Sequence, residues 1–175
     1  MTPILDKITD QITLIDLQFQ SRPSVIASYL FYDGKQAALI ESGPASTVET
    51  LIQGIQAARV PLDALHHVIV THIHLDHAGA AGVLARKFPW LRVHVHPVGA
   101  PHLADPSKLL ASAARLYGDQ LEFLWGKIEP VPAENLLVVN DGDEIKLPGT
   151  TLRAFDTPGH ARHHHAYLHI QIFHT

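Results

Sequence analysis

Between Val68 and Gly79 the chain reads VIVTHIHLDHAG, and no other stretch restricts the fold so tightly. The run HVIVT, His67 to Thr71, is too short and too β-branched for a helix and reads as a buried strand. Three histidines and an aspartate then follow within six positions. A buried strand that ends at Thr71 in a polar loop is how α/β proteins carry sites at the C-terminal edge of a sheet. In extended backbone, residues two apart point the same way, so His72 and His74 can reach one ion while Ile73 and Leu75 turn into the core. Asp76 and His77 are adjacent and must diverge, aiming at a second point a few ångströms away. A metalloprotease-type helix fits poorly, because the H-E-x-x-H spacing and its glutamate are missing.

The remaining sequence supplies the sheet and its helices. Ile12 to Phe19 and Ser24 to Tyr32 read as strands, and Asp33-Gly34 as the tight turn before QAALIES, so the first forty residues form an antiparallel meander. Ser46-Thr47-Val48-Glu49 has the pattern of a capping box, with Leu51, Ile52, Ile55 and Ala58 at helical spacing behind it. AAGVLARKF suits a short helix, and RVHVH alternates as a strand. Asp105-Pro106 is expected to start one long helix with Leu109, Leu110, Ala113, Leu116, Tyr117, Leu121 and Leu124 on a single stripe. NLLVV, EIKL and TLRAF close the pattern as short strands. The order ββαβαβαβββ fits a mixed sheet with helices packed against it, an α/β or α+β layer structure in a single domain spanning 1–175.

Composition narrows the chemistry. Hydrophobic residues at 46% and charged ones at 17% place the chain among globular proteins. No apolar run reaches the length of a spanning helix and no leader pattern is visible, so no membrane partner and a cytoplasmic location are expected. A net charge of −4 without any basic run argues against nucleic acid. Cysteine is absent while histidine occurs fourteen times, so a metal must be held by His, Asp or Glu.

A tetrahedral catalytic site needs a third protein ligand and leaves its fourth position to water. In FDTPGHARHHHAYL, Pro158-Gly159 makes a tight turn after a strand, and His160 is set to swing back toward the first loop. His163, His164 and His165 are near enough to compete, but three in a row cannot all point inward, and at least one is expected on an outward face. His94 and His96 share a strand face and read as satisfied or exposed histidines; His66, His67 and His102 carry no spacing argument.

THIHLDHAG resembles the H-x-H-x-D-H signature of the metallo-β-lactamase superfamily, DTPGHA resembles its second metal motif, and LIESGP resembles a strand-end segment that carries Asp where this chain has Glu41. The resemblance implies an αββα sandwich in which His72, His74 and His160 bind a first metal and Asp76 and His77 contribute to a second, with Asp76 orienting the hydroxide. The branch it is most similar to is that of glyoxalase II-like and lactonase-like hydrolases. The implied activity is metal-dependent hydrolysis by metal-bound hydroxide of a small-molecule ester, thioester or lactone. Zinc is the expected metal, as one or two divalent ions, with Fe or Mn also suited to these ligands. The alternatives are phosphodiester hydrolysis and a catalytically inert metal-binding or oligomerising fragment.

The resemblance also implies a later Gly-Asp, whose carboxylate bridges the metals, and a last histidine ligand in a second αβ half. No Gly-Asp follows the TPGH segment before LHIQIFHT. The expectation is that the chain covers the N-terminal half to two-thirds of the fold, with its C-terminal part missing, and forms a homo-oligomer. His169 and His174 have no spacing that supports a substitute role.

Overall fold

Apolar residues alternating with polar ones near the N-terminus pair as four antiparallel strands, β1 (Ile4–Lys7), β2 (Ile12–Asp16), β3 (Ala27–Tyr32) and β4 (Ala37–Ile40). A computed structural model describes residues 2–147 and 150–171. The β3–β4 turn forms at Asp33-Gly34, where Asp33 Oδ1 accepts from the backbone N–H groups of Lys35 and Gln36, each at 2.8 Å. Three parallel strands extend the sheet: β5 (Leu65–Ile69), β6 (Arg92–Val95) and β7 (Leu136–Val138). This seven-stranded sheet keeps the chain order from β1 to β7. A second sheet of three antiparallel strands, in the order β10-β9-β8, comprises β8 (Glu144–Leu147), β9 (Thr150–Asp156) and β10 (His165–Gln171).

The two-residue period of β5 and its exit decides what lies on each face of the large sheet. Val68 and Val70 are fully buried against the helix side, in a core with Leu51 and Ile55 of α1 (Val48–Ala57) and Leu84 of α3 (Ala81–Lys87). Ile69 faces the other way, into a smaller core with Ile145, Leu147, Leu152 and Ala154 of the second sheet. Among the described residues the layers are therefore helices, large sheet and small sheet. Between α1 and α3 the short α2 (Leu75–Ala78) leaves the loop after β5. After β6 come α4 (Ala100–Ala104), α5 (Ser107–Tyr117) and α6 (Leu121–Trp125). No helix among the described residues is long and apolar enough to cross a membrane.

Three local expectations are corrected. The capping box does not form: Ser46 Oγ donates to Leu124 O and Thr47 Oγ1 to Pro44 O, and no side chain accepts from the N–H groups of the first turn of α1. The single long helix after Pro106 is two helices, because Gly118 takes φ +51° and turns the chain before the apolar stripe resumes. The strand carrying VIV ends at Ile69 rather than Thr71: Val70 N–H makes the last bond to β6, at His94 O, and Thr71 turns its N–H to Glu41 and its carbonyl to His165. β1 and α4 had no counterpart in the sequence reading.

Candidate metal centre

β5 delivers the chain to its C-terminal edge, where His72 is buried and Ile73 and Leu75 turn into the core as their spacing requires. His72 Nε2 lies 3.0 Å from His74 Nδ1. His74 Nδ1 lies 3.0 Å from Nε2 of His160, a residue 86 positions away. His160 stands on the loop between β9 and β10, whose ends are tied by Thr157 N–H donating to His164 O at 2.9 Å. That hairpin is fastened to the exit of β5: His165 N–H donates to Thr71 O at 2.8 Å, and the Tyr167 hydroxyl donates to Val70 O at 3.1 Å. The third imidazole is thus carried to the first two by the second sheet.

The donor set fits a divalent ion. An imidazole nitrogen carries either one proton or one in-plane lone pair, so His74 Nδ1 can make one well-directed hydrogen bond and not the two that its neighbours at 3.0 Å would require. A tetrahedral zinc with bonds of about 2.0–2.1 Å sets its nitrogens about 3.3 Å apart, close to the spacing here. His72 Nδ1 lies 2.9 Å from Thr71 Oγ1, a contact that can hold the ring proton there and leave Nε2 its lone pair. Burial pulls the His72 imidazolium down to about 3, with the surrounding His77, His74, His164 and His160 adding to the effect. Burial, then His160, also lowers His74. Both rings are neutral at neutral pH, the state in which imidazole binds a metal.

Asp76 and His77 do not diverge as expected. Both sit in α2, and His77 Nε2 lies 3.2 Å from Asp76 Oδ2. On its other side His77 Nδ1 is 3.3 Å from Glu41 Oε1, within ion-pair range although buried without a well-directed hydrogen bond. Burial works against the His77 imidazolium, but the two carboxylates outweigh it and raise it to about 10. Burial likewise pushes Asp76 up, and His77 outweighs it to hold the carboxyl below its usual range.

Glu41 reaches this place from an uncommon backbone, with φ +67°. Thr71 N–H donates to its carboxylate at 3.2 Å. Gly43, two residues on, has φ +70°, and a Cβ there would come within 2.1 Å of Leu17 Cδ1, so only glycine fits. The segment then closes over α2, with Ser42 and Gly43 N–H groups donating to His77 O at 2.7 and 3.1 Å.

A second cluster lies beside the first. Asp156 Oδ1 is 2.8 Å from His165 Nε2 and 3.4 Å from His96 Nε2. Three potential donors close together could hold an ion, yet Val98 N–H donates to His96 Nδ1 at 3.0 Å, which puts the proton of a neutral His96 on Nε2, facing the carboxylate. The cluster therefore serves better as a carboxylate facing two imidazoles, with His165 Nε2 within ion-pair range but buried without a well-directed hydrogen bond. Sequence reading missed it: the hairpin pairing centres between His160 and Ala161, two residues beyond the Pro158-Gly159 turn, and sets Asp156 directly opposite His165.

None of the three consecutive histidines faces fully outward: His165 is completely buried, and His163 and His164 are half-buried around His72, their rings 6.3 and 5.2 Å from it. His94 is of the satisfied kind, with Nε2 3.0 Å from His67 Nδ1. His169 is exposed and edge-on to Phe31, and His174 lies outside the described residues.

The sequence model of the metallo-beta-lactamase superfamily matches residues 21–169. Similar proteins include the metallo-beta-lactamase fold-containing protein ST1585 of Sulfurisphaera tokodaii, 27% identical over 83% of this chain and 54% of its own. A hydroxyacylglutathione hydrolase of Cupriavidus taiwanensis is 30% identical over 87% of this chain and 47% of its own. Among solved structures, the FEZ-1 metallo-beta-lactamase of Legionella gormanii superposes with a TM-score of 0.72 at 20% identity, over 95% of this chain and 57% of that one. The chain spans about half the length of the curated relatives it matches.

Proposed function

We propose, since the chain belongs to the metallo-β-lactamase superfamily, that it is a metal-dependent hydrolase acting on an ester or thioester, with a lactone as the cyclic form of the same chemistry. The observation that carries the reading is the meeting of His72, His74 and His160, from two distant segments, at nitrogen spacings of 3.0 Å. These three would hold one ion; zinc is favoured by an all-imidazole set, and iron or manganese would also bind. A divalent ion there supplies a Lewis acid that acidifies water and polarises an acyl oxygen.

The chain's own groups do the rest. Asp76 Oδ2 is engaged by His77, and Oδ1 is the oxygen left to orient a water. A carboxyl held below its usual range is ionised at neutral pH, the state in which it accepts a hydrogen bond from a water. Glu41 keeps His77 in place, and Asp76 and His77 are the pair that would turn to a second ion. The hydroxyacylglutathione hydrolase among the relatives supports acyl transfer to water over phosphodiester cleavage, as does the net charge of −4.

The test is metal content measured alongside hydrolysis of a panel of simple esters and thioesters. One tightly held ion, lost in His74→Ala and in His160→Ala together with hydrolysis, supports the reading. Hydrolysis that survives in a fully metal-free, chelator-treated protein would sink it.

A further inference from the structure

The candidate centre opens on one side into a cavity of about 270 Å³. His74 and Asp76 form the end nearest the imidazoles, and the wall beyond them is built by Leu109, Ala113 and Leu116 of α5 and by Trp125 of α6. Spacings of four and three residues put the three α5 side chains on one helical face. That face is only partly used by the protein: Leu116 is 78% exposed. Trp125 is steadied by Phe19 and Tyr117, whose ring centroids each lie 5.3 Å from its own.

Among the described residues the wall carries no lysine or arginine, and the one full charge in the lining is the carboxylate of Asp76. A ligand with carboxylates of its own, such as the glutathione half of an acylglutathione, would find no counter-charge here and would meet Asp76 as a like charge. An uncharged hydrocarbon would cover Leu116 and contact Trp125. Its length is bounded by a cavity near the lower end of small-molecule sites, which run from about 300 to 1,000 Å³.

Resting on the hydrolase reading above, we infer that the substrate carries an uncharged, medium-length aliphatic acyl group, seated between α5 and α6 with its carbonyl carbon at the imidazole cluster. Hydrolysis then balances simply: water adds to that carbon, the bond to the alcohol or thiol breaks, and the acid leaves with the chain while the alcohol or thiol takes the proton.

Binding and turnover are tested separately. The chain has two tryptophans, so in Trp90→Phe the indole fluorescence reports Trp125 alone. Titrating this variant, metal-free, with decanamide should give a saturable change that Leu116→Asp weakens at least tenfold, while glutathione gives none; Leu116 is exposed, so that substitution leaves the fold and the metal content intact. In the zinc-loaded protein, kcat/KM for p-nitrophenyl esters should rise about fourfold per methylene from acetate toward octanoate, the gain from burying each CH₂, then level off. Hydrolysis of the acetate ester without decanamide binding or chain-length preference would overturn this inference and leave the hydrolase intact. Decanamide binding without any zinc-dependent hydrolysis would overturn the hydrolase reading and leave only an apolar binding site. A fluorescence response to glutathione but not to decanamide would reverse the assigned substrate class.

Discussion

Oδ1 of Asp156 lies 2.8 Å from Nε2 of His165, directly across the β9–β10 ladder at the base of the loop that carries His160. His96, at the end of β6, approaches the same oxygen, so one carboxylate joins the two sheets next to the candidate centre. Removing it leaves His165, completely buried, without that partner. Asp156→Ala should cost about 1–3 kcal/mol of stability and weaken the tight ion about 10–100-fold, the range for groups that orient ligands without touching the metal. Thermal unfolding and ion titration check this. His96→Ala, by contrast, should keep one ion per chain; equal loss in His96→Ala and His74→Ala would refute the ligand assignment.

Stability of the metal-free protein should peak near neutral pH. His72 and His94 are each pulled down to about 3, first by burial and then by neighbouring imidazoles. Below about pH 6.5 the unfolded chain therefore takes up protons that the folded one refuses, and their contribution falls as acid is added. His77, raised to about 10, has the opposite sign: its contribution is full below about 6.5 and disappears as the pH climbs to about 10. Thermal midpoints measured between about pH 4 and pH 10 should trace a dome, and a midpoint that rose steadily toward acid would contradict this account.

Loading the first ion should take no proton from His72 or His74, whereas the second should take one from His77. His72 and His74 are already unprotonated at pH of about 8, whereas His77 is charged and must lose a proton to ligate. Calorimetry in two buffers of different ionisation heat should show about one proton released in the weaker step. Glu41→Gln removes one of the carboxylates that raise His77 and should lower that release. A weaker step that released no proton would show that His77 does not ligate the second ion.

The homo-oligomer expected from sequence has a candidate surface. Phe155, Leu168 and Ile170 share the outer face of the small sheet and are 39%, 53% and 36% exposed, and β10 is an edge strand among the described residues. Light scattering at micromolar concentration should find a dimer or larger species that Leu168→Lys shifts toward monomer. A monomer in both would remove the expectation.

What could be read from sequence was what depends on local periodicity. His72 and His74 pair because a two-residue repeat alternates them with Ile73 and Leu75, and His160 follows a Pro-Gly turn; both signals are complete within a few residues. The divergence expected of Asp76 and His77 failed because His77 is held between two carboxylates, Asp76 beside it and Glu41 from a distant segment, and local spacing does not encode the second of these. The Asp156 cluster depends on hairpin register and on β6 lying against the second sheet, neither of which local spacing encodes. Gly118 broke the long helix without breaking the apolar stripe, so the wall of the cavity was legible as a helix face but not as two helices.

The fastening of β10 to the exit of β5, through Thr71 O and Val70 O, also bears on how the molecule assembles. His72 and His74 can come together as soon as the parallel strands form, but His160 arrives only when a hairpin more than eighty residues downstream docks. Long-range closure of this kind is slow and falls late in folding. An ion held by all three imidazoles binds only the fully docked state, and at a hundred times its dissociation constant it stabilises that state by about 2.7 kcal/mol. Metal uptake followed during refolding would therefore act as a clock for the last docking event, lagging behind the recovery of helical signal.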